Sequence, residues 1–150
     1  MQSDKFTALV RNAIGAAQSA ALAANHQKLT AEHVLAALLK DDNMTVKMLL
    51  AKAGADSASL SALLKAGLDK FPQVTGSGAG QLQLDADLAR IFAAVEAEAK
   101  ARHDQFIAVD LLLLAMTKST GSVGKILKKA GVEPAPLGAA IDEMRKGRTA

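Results

Sequence analysis

The sequence has no cysteine, tryptophan or tyrosine, only three prolines, and an aromatic content of 3% made up entirely of phenylalanine. Without thiols there can be no disulfide, no Fe–S cluster and no thiolate zinc site, which fits a reducing compartment. With so few aromatics, the 50% apolar content rests on Ala, Leu, Val, Ile and Met. Small and branched aliphatic residues of this kind suit closely packed helices. A long hydrophobic run is also missing. The longest block, Leu111 to Met116 after Asp110, is far shorter than the roughly 20 residues a membrane span needs. No cationic stretch followed by an apolar segment opens the chain, so no secretory signal is expected. These absences predict a soluble, cytoplasmic protein with no membrane partner.

Net charge is small. Eighteen Lys and Arg against 15 Asp and Glu leave +3, too little for a polybasic protein. A chain of 150 residues should expose about 7,200 Å² when folded against about 22,000 Å² unfolded, enough burial for a core without staples.

What the sequence does have is helical periodicity. Phe6, Leu9, Val10, Ala13, Ile14, Ala17 and Ala21 recur at three- and four-residue steps along one face of a long first helix. Asn25–Lys28 breaks the pattern. Thr30 offers a cap for a helix over Ala31–Lys40, and Thr45 for one over Val46–Ala53, which stops at Gly54. Ser57 is the expected cap of a fourth, Ala58–Lys70. Phe71 to Gly80 holds one Pro and three Gly with no helical period, and reads as a connector. The order then recurs. Asp85 caps a long helix to Arg102, Ala108–Lys118 and Ser122–Ala130 follow, and Leu137–Lys146 comes after Pro134 and Pro136.

The recurrence is a duplication. Val46–Gly54 aligns with Val123–Gly131 at an offset of 77, with five of nine positions identical. The same offset pairs Leu29 with Phe106, Val34 with Leu111 and His26 with His103, while the first helices slip by about one residue. The expected fold is all-α, eight helices in two four-helix repeats with pseudo-twofold symmetry. The repeats would span 1–70 and 84–150 in one compact domain, with 71–83 as linker. Such packing is expected to leave a seam between the halves where apolar side chains are exposed.

Catalytic patterns are missing. Gly76-Ser77-Gly78-Ala79-Gly80 lacks the preceding strand, the following helix and the Gly-Lys-Ser/Thr ending of a phosphate loop, and Ser77 has no nucleophile-elbow setting. His26, His33 and His103 are split between the halves and read as loop or first-turn residues, so no metal is expected. Glu96 with Glu98, and Asp41 with Asp42, read as solvated helix faces or ends. Lys125, Lys128 and Lys129 share a short helix and Arg145, Lys146 and Arg148 end the chain, but no aromatics are interleaved with them. A solvated basic face is therefore favoured over a nucleic-acid surface.

The repeat and the connector together resemble a known family. The double unit is similar to the Clp N-terminal domain of AAA+ unfoldases, in particular its ClpB-type disaggregase branch. Phe71-Pro72-Gln73-Val74-Thr75-Gly76-Ser77-Gly78 resembles that branch's connector. Ala17-Gln18-Ser19 with His26-Gln27-Lys28-Leu29-Thr30-Ala31-Glu32-His33 resembles its first repeat, and Asp104-Gln105-Phe106-Ile107 with Asp110-Leu111 its second. The resemblance implies a non-enzymatic domain that engages unfolded or aggregated polypeptide through an apolar groove and helps deliver it to a hexameric ATPase ring. ATP and Mg are expected only in modules outside this chain, with no cofactor here.

By the same resemblance Thr7, Asp104 and Asp110 fall at positions linked to chaperone activity, Asp110 standing where Glu is usual. Leu111 is the candidate groove residue. The family's groove also draws on apolar residues of the second long helix, where this chain has Ala94 and Glu98. Glu32-His33 resembles half of the paired motif used by phosphoarginine readers, which Val109-Asp110 does not reproduce. Asp104→Ala and Asp110→Ala are expected to leave folding intact. The alternatives are an adaptor-docking domain of a Clp protease unfoldase and a helical nucleic-acid module using Lys125, Lys128 and Lys129.

Overall fold

The computed structural model describes residues 3–40, 44–75 and 82–150. A single 3-10 turn at Ser3–Lys5 precedes α1 (Ala8–Ala23), α2 (Ala31–Lys40), α3 (Met44–Lys52) and α4 (Ser57–Asp69). The second set is α5 (Ala86–Ala101), α6 (Val109–Thr117), α7 (Ser122–Lys129) and α8 (Pro134–Arg145). The fold is all-α, with eight α-helices among the described residues. The Gly76–Gly80 stretch and the Asp41–Asp42 pair lie outside the described residues.

Local chemistry explains most boundaries. Thr7 caps α1 by accepting from the Val10 N–H, Asp85 caps α5 through the Asp87 N–H, and Gly54 and Gly131 turn the chain at φ +87° and +89°. Four starts differ from expectation. Helix α3 begins at Met44, so Thr45 lies inside it and does not precede it as a cap. Asp56 caps α4 rather than Ser57, because its carboxylate reaches the Ser59 N–H at 3.2 Å. Helix α8 begins at Pro134 instead of Leu137, since proline in a first turn gives up only an N–H that has no helical partner. Phe6 lies outside α1 yet stays buried, in a bridge to Ile107.

That bridge has a twin. β1 (Lys28–Leu29) pairs in parallel with β2 (Gln83–Leu84), joining the segment before α5 to the segment before α2. Phe6 with Ile107 joins the segment before α1 to the segment before α6. Each repeat therefore sends its leading segment to the other. The fourth helices bridge the repeats, α4 packing on α2 and α7, and α8 on α6 and α3. The first halves of the repeats correspond at an offset of 78, with Asn25 and His103 both left-handed at φ 60° and 63°. Beyond α2 the offset becomes 77, as for Gly54 and Gly131. His103 thus matches Asn25, not His26.

The expected open seam is filled. All eight residues from Val109 to Met116 in α6 are buried, as is the α2 run Ala31–Leu35. A helix that is apolar on every side ends up in the middle of a core. Nor is 71–83 wholly a free connector, because Phe71 packs on His26 and His33 and Gln83–Leu84 forms the strand pair.

Candidate functional site

Three of the four residues singled out by the sequence meet where the start of α1 touches the loop between α5 and α6. The Thr7 N–H donates to the Ile107 carbonyl at 3.1 Å, and the Ile107 N–H to the Lys5 carbonyl at 2.7 Å. The loop leaves α5 through left-handed His103, and the Asp104 N–H returns to the Ala99 carbonyl. Asp104 then points inward, with its side chain fully removed from solvent. Asp110 lies in the first turn of α6 with 5% of its side chain exposed.

Both carboxylates close on one arginine at the end of α8. Arg145 donates Nη1 to both oxygens of Asp104 at 3.0 and 2.9 Å. It donates Nε and Nη2 to Asp110 at 2.6 and 2.9 Å. A forked pair to Asp110 and a nitrogen shared between the Asp104 oxygens satisfy the guanidinium and both acids in a largely buried site, where charge-assisted bonds are strong. The hydrogen bonds to Asp110, and then those to Asp104, raise the Arg145 pKa further, so its charge is constant. Arg145 is thus no part of a solvated basic face. Its role was not readable from the sequence, because nothing local marks which distant acids an arginine will meet.

Leu111, the fourth residue, is 0% exposed and belongs to the core. The exposed apolar group at this place is Phe106, at 46%. It borders a cavity of about 490 Å³ whose other walls include Lys5, Glu96, Lys100, Asp104 and Ile107. Lys5 and Glu96 pair across it at 3.2 Å. On the second long helix Ala94 is exposed, whereas Glu98 accepts from Arg102, which also bonds Asp142.

The matching place in the first repeat has different chemistry. His26 and His33 are buried and hydrogen-bonded, Nδ1 to Nε2 at 2.8 Å, with Phe71 against both rings. The Thr30 N–H donates to His33 Nδ1, so neutral His33 carries its proton on Nε2 and gives it to His26. Desolvation first, then His26, lowers the His33 pKa to about 4. Glu32, the counterpart of Asp110, is buried with no ion pair among the described residues, and Leu68 stands where Arg145 would be. Burial raises the Glu32 pKa, opposed by a Ser122 hydrogen bond and reinforced by Asp85 and Asp87. No group of three or more His, Cys, Asp or Glu among the described residues is placed to hold a metal. Among the described residues no helix is long and apolar enough to cross a membrane.

Two exchanged leading segments, paired left-handed loops and fourth helices that bridge the repeats define a duplicated helical unit, and comparison with known proteins gives it a place. The Clp repeat (R) N-terminal domain matches residues 5–130. This chain belongs to that family. It is 42% identical over 151 residues to the chaperone protein ClpB of Rhizobium meliloti (strain 1021), covering 100% of this chain and 17% of that protein. The chain thus spans about a sixth of the length of the curated relatives it matches. In fold it is similar to the Hsp104 N-terminal domain from Candida albicans, with a TM-score of 0.83, 20% identity, and 97% and 94% of the two chains covered. A chain from the structure described as a peptide from the EAEC T6SS Sci1 SciI protein has a TM-score of 0.71 at 18% identity, covering 95% of this chain and 86% of that one.

Proposed function

We propose that this Clp N-type chain is the substrate-interaction domain of a ClpB-like disaggregase, working by binding alone and without a cofactor of its own. It holds unfolded or aggregated polypeptide weakly and passes it towards an ATPase ring formed by modules outside this chain. The observation that carries the reading is Phe106, a large apolar side chain left 46% exposed beside a cavity next to Thr7 and Asp104. Among the described residues Leu22, Met44, Met48, Leu84 and Phe106 are the exposed large apolar side chains, and of these Phe106 is the aromatic one and lines this cavity, so a ligand there can cover it. Thr7, Asp104 and Asp110 serve by shaping this place, and Leu111 by supporting it from beneath.

Weak binding follows from the energetics. About 400 Å² of buried apolar area yields about 10 kcal/mol gross, most of it offset by about 4–15 kcal/mol of association and ordering costs. A ligand held so lightly can be handed on. The test is an NMR titration of the chain with a permanently unfolded polypeptide at low and high salt. Shifts clustered at Thr7 and Gln105–Ile107 that survive salt are expected, and their absence at saturating polypeptide overturns the reading.

Adaptor docking is the second reading, favoured by the fold neighbour whose description names a peptide of a single protein. It predicts tight binding to one folded partner and little response to generic unfolded chains.

A further inference from the structure

The cavity beside Phe106 has buried apolar residues in its wall and a charged rim, and the charges on that rim do not balance. Ala99 and Ile107 are the buried apolar residues, with Phe106 exposed next to them. Glu96, Ala99 and Lys100 reach the cavity from α5, at the three- and four-residue steps that keep side chains on one face. An acid four residues before a lysine ordinarily pairs with it along the helix. Here Glu96 pairs instead with Lys5, which comes from the segment before α1, at 3.2 Å. Lys100 is left exposed, with no ion pair or side-chain hydrogen bond among the described residues.

The other acid in the wall has nothing to offer a ligand. The Asp104 side chain is fully buried and both of its oxygens accept from Arg145. Arg145 serves Asp110 as well, so the three groups hold one surplus negative charge, but beneath the surface and with their oxygens already bonded. At the surface there are two ammonium groups, Lys5 and Lys100, to one accessible carboxylate, Glu96. A lysine in a last helical turn suits the helix dipole wherever it occurs. Lys100 differs in lining a cavity that also holds an exposed aromatic, so one ligand can meet both.

We propose that this cavity selects polypeptide segments in which a large apolar side chain lies within a few residues of Asp or Glu. The apolar group seats against Phe106 and Lys100 takes the carboxylate. This inference rests on the polypeptide-binding reading and adds the class of segment preferred at that site. The apolar part sets most of the affinity, and the charge sets the choice among segments. An exposed ion pair changes an equilibrium constant by about two- to fivefold and is screened by salt. Selection is therefore shallow, and it disappears at high salt while binding persists.

The test follows the amide shifts of Thr7 and Gln105–Ile107 as unstructured peptides are added. The peptides share a Phe-Leu centre and differ in flanks of two Glu, two Gln or two Lys. At low salt the Glu peptide should bind about two- to fivefold more tightly than the Gln peptide, with the Lys peptide weakest, and at high salt the three should agree. Lys100→Gln should bring the three together at low salt, and Lys100→Glu should reverse their order, both with Tm unchanged because the site is exposed. A Glu peptide with Ser in place of Phe and Leu should not bind. Equal affinities at low salt, or the Lys peptide binding most tightly, overturn the charge selection and leave polypeptide capture standing. The parent order persisting in Lys100→Glu overturns the role of Lys100. Undiminished binding of the Ser peptide overturns the apolar seat. If no peptide moves these amides even at millimolar concentration, the capture reading falls with the selection.

Discussion

Arg145 and Asp104 are joined by two hydrogen bonds of 3.0 and 2.9 Å from a single nitrogen, with no part of the aspartate side chain exposed. The pair, completed by Asp110, connects the end of the last helix to the loop that presents Phe106. Residues that matter to binding need not touch the ligand when a clasp of this kind determines the shape of the surface.

The clasp changes what alanine substitution should do. From sequence, Asp104→Ala and Asp110→Ala are expected to fold normally. Their burial against one arginine predicts instead that each removes two charge-assisted hydrogen bonds and leaves guanidinium N–H groups unmet, at a cost of about 3 kcal/mol. Thermal unfolding should show Tm lower by about 6–12 °C in each variant. Arg145→Lys should itself lower Tm, since an ammonium cannot fork to two carboxylates.

Stability should fall on acidification between pH 6.5 and 4, and His33 is the cause. Its folded pKa of about 4 lies below the unfolded value of 6.5, so the unfolded chain binds the additional proton in that window. The penalty is on the order of 3 kcal/mol once both states are protonated. Glu32 acts in the opposite sense, because its raised pKa favours the folded state at low pH and loses that contribution as pH rises through it. His33→Gln should flatten the denaturation profile over this window, and Glu32→Gln should raise Tm at pH 7.

Much of the fold was legible in these residues. Val10, Ala13, Ala17 and Ala21 did face inward, and Asp85, Gly54 and Gly131 did mark helix ends, because caps and periodicity act within one or two turns. What was not legible depends on distance. Phe6 with Ile107 and Leu29 with Leu84 are pairings too short to show alternation. The change of repeat offset from 78 to 77 took His103 away from His26 and matched it with Asn25. At the site, Thr7 and Asp104 could be named from family resemblance, while Leu111, the groove candidate, lies in the core and Phe106, which nothing in the sequence singled out, is exposed. Both follow charged or polar residues in apolar surroundings, and only packing separates a 0% from a 46% exposed side chain.

Gly131→Ala tests the seam. A Cβ at its φ of +89° is strained and would lie 3.2 Å from the Gly54 carbonyl, where the two repeats meet. A loss of about 1–2 kcal/mol is expected from equilibrium denaturation, with polypeptide binding unaltered in the folded fraction.

Phe106→Ser and Leu111→Ala should separate surface from support. The first removes an exposed group, so Tm should move little while affinity for unfolded polypeptide drops at least about fivefold. The second opens a cavity in the core and should cost about 2–5 kcal/mol. Comparable Tm losses in both would return Phe106 to a structural role. Lys125→Ala with Lys128→Ala and Lys129→Ala, all exposed on α7, should change neither property.

The most direct measurement places a photoreactive amino acid at Gln105 and, as control, at Met48, which is also exposed, on α3. Each protein is irradiated with a permanently unfolded polypeptide at low and high salt. Efficient crosslinking from position 105 at both salt concentrations, with little from position 48, is the predicted result. Equal crosslinking from the two positions, or none from position 105, would contradict the claim that this chain receives polypeptide beside Phe106.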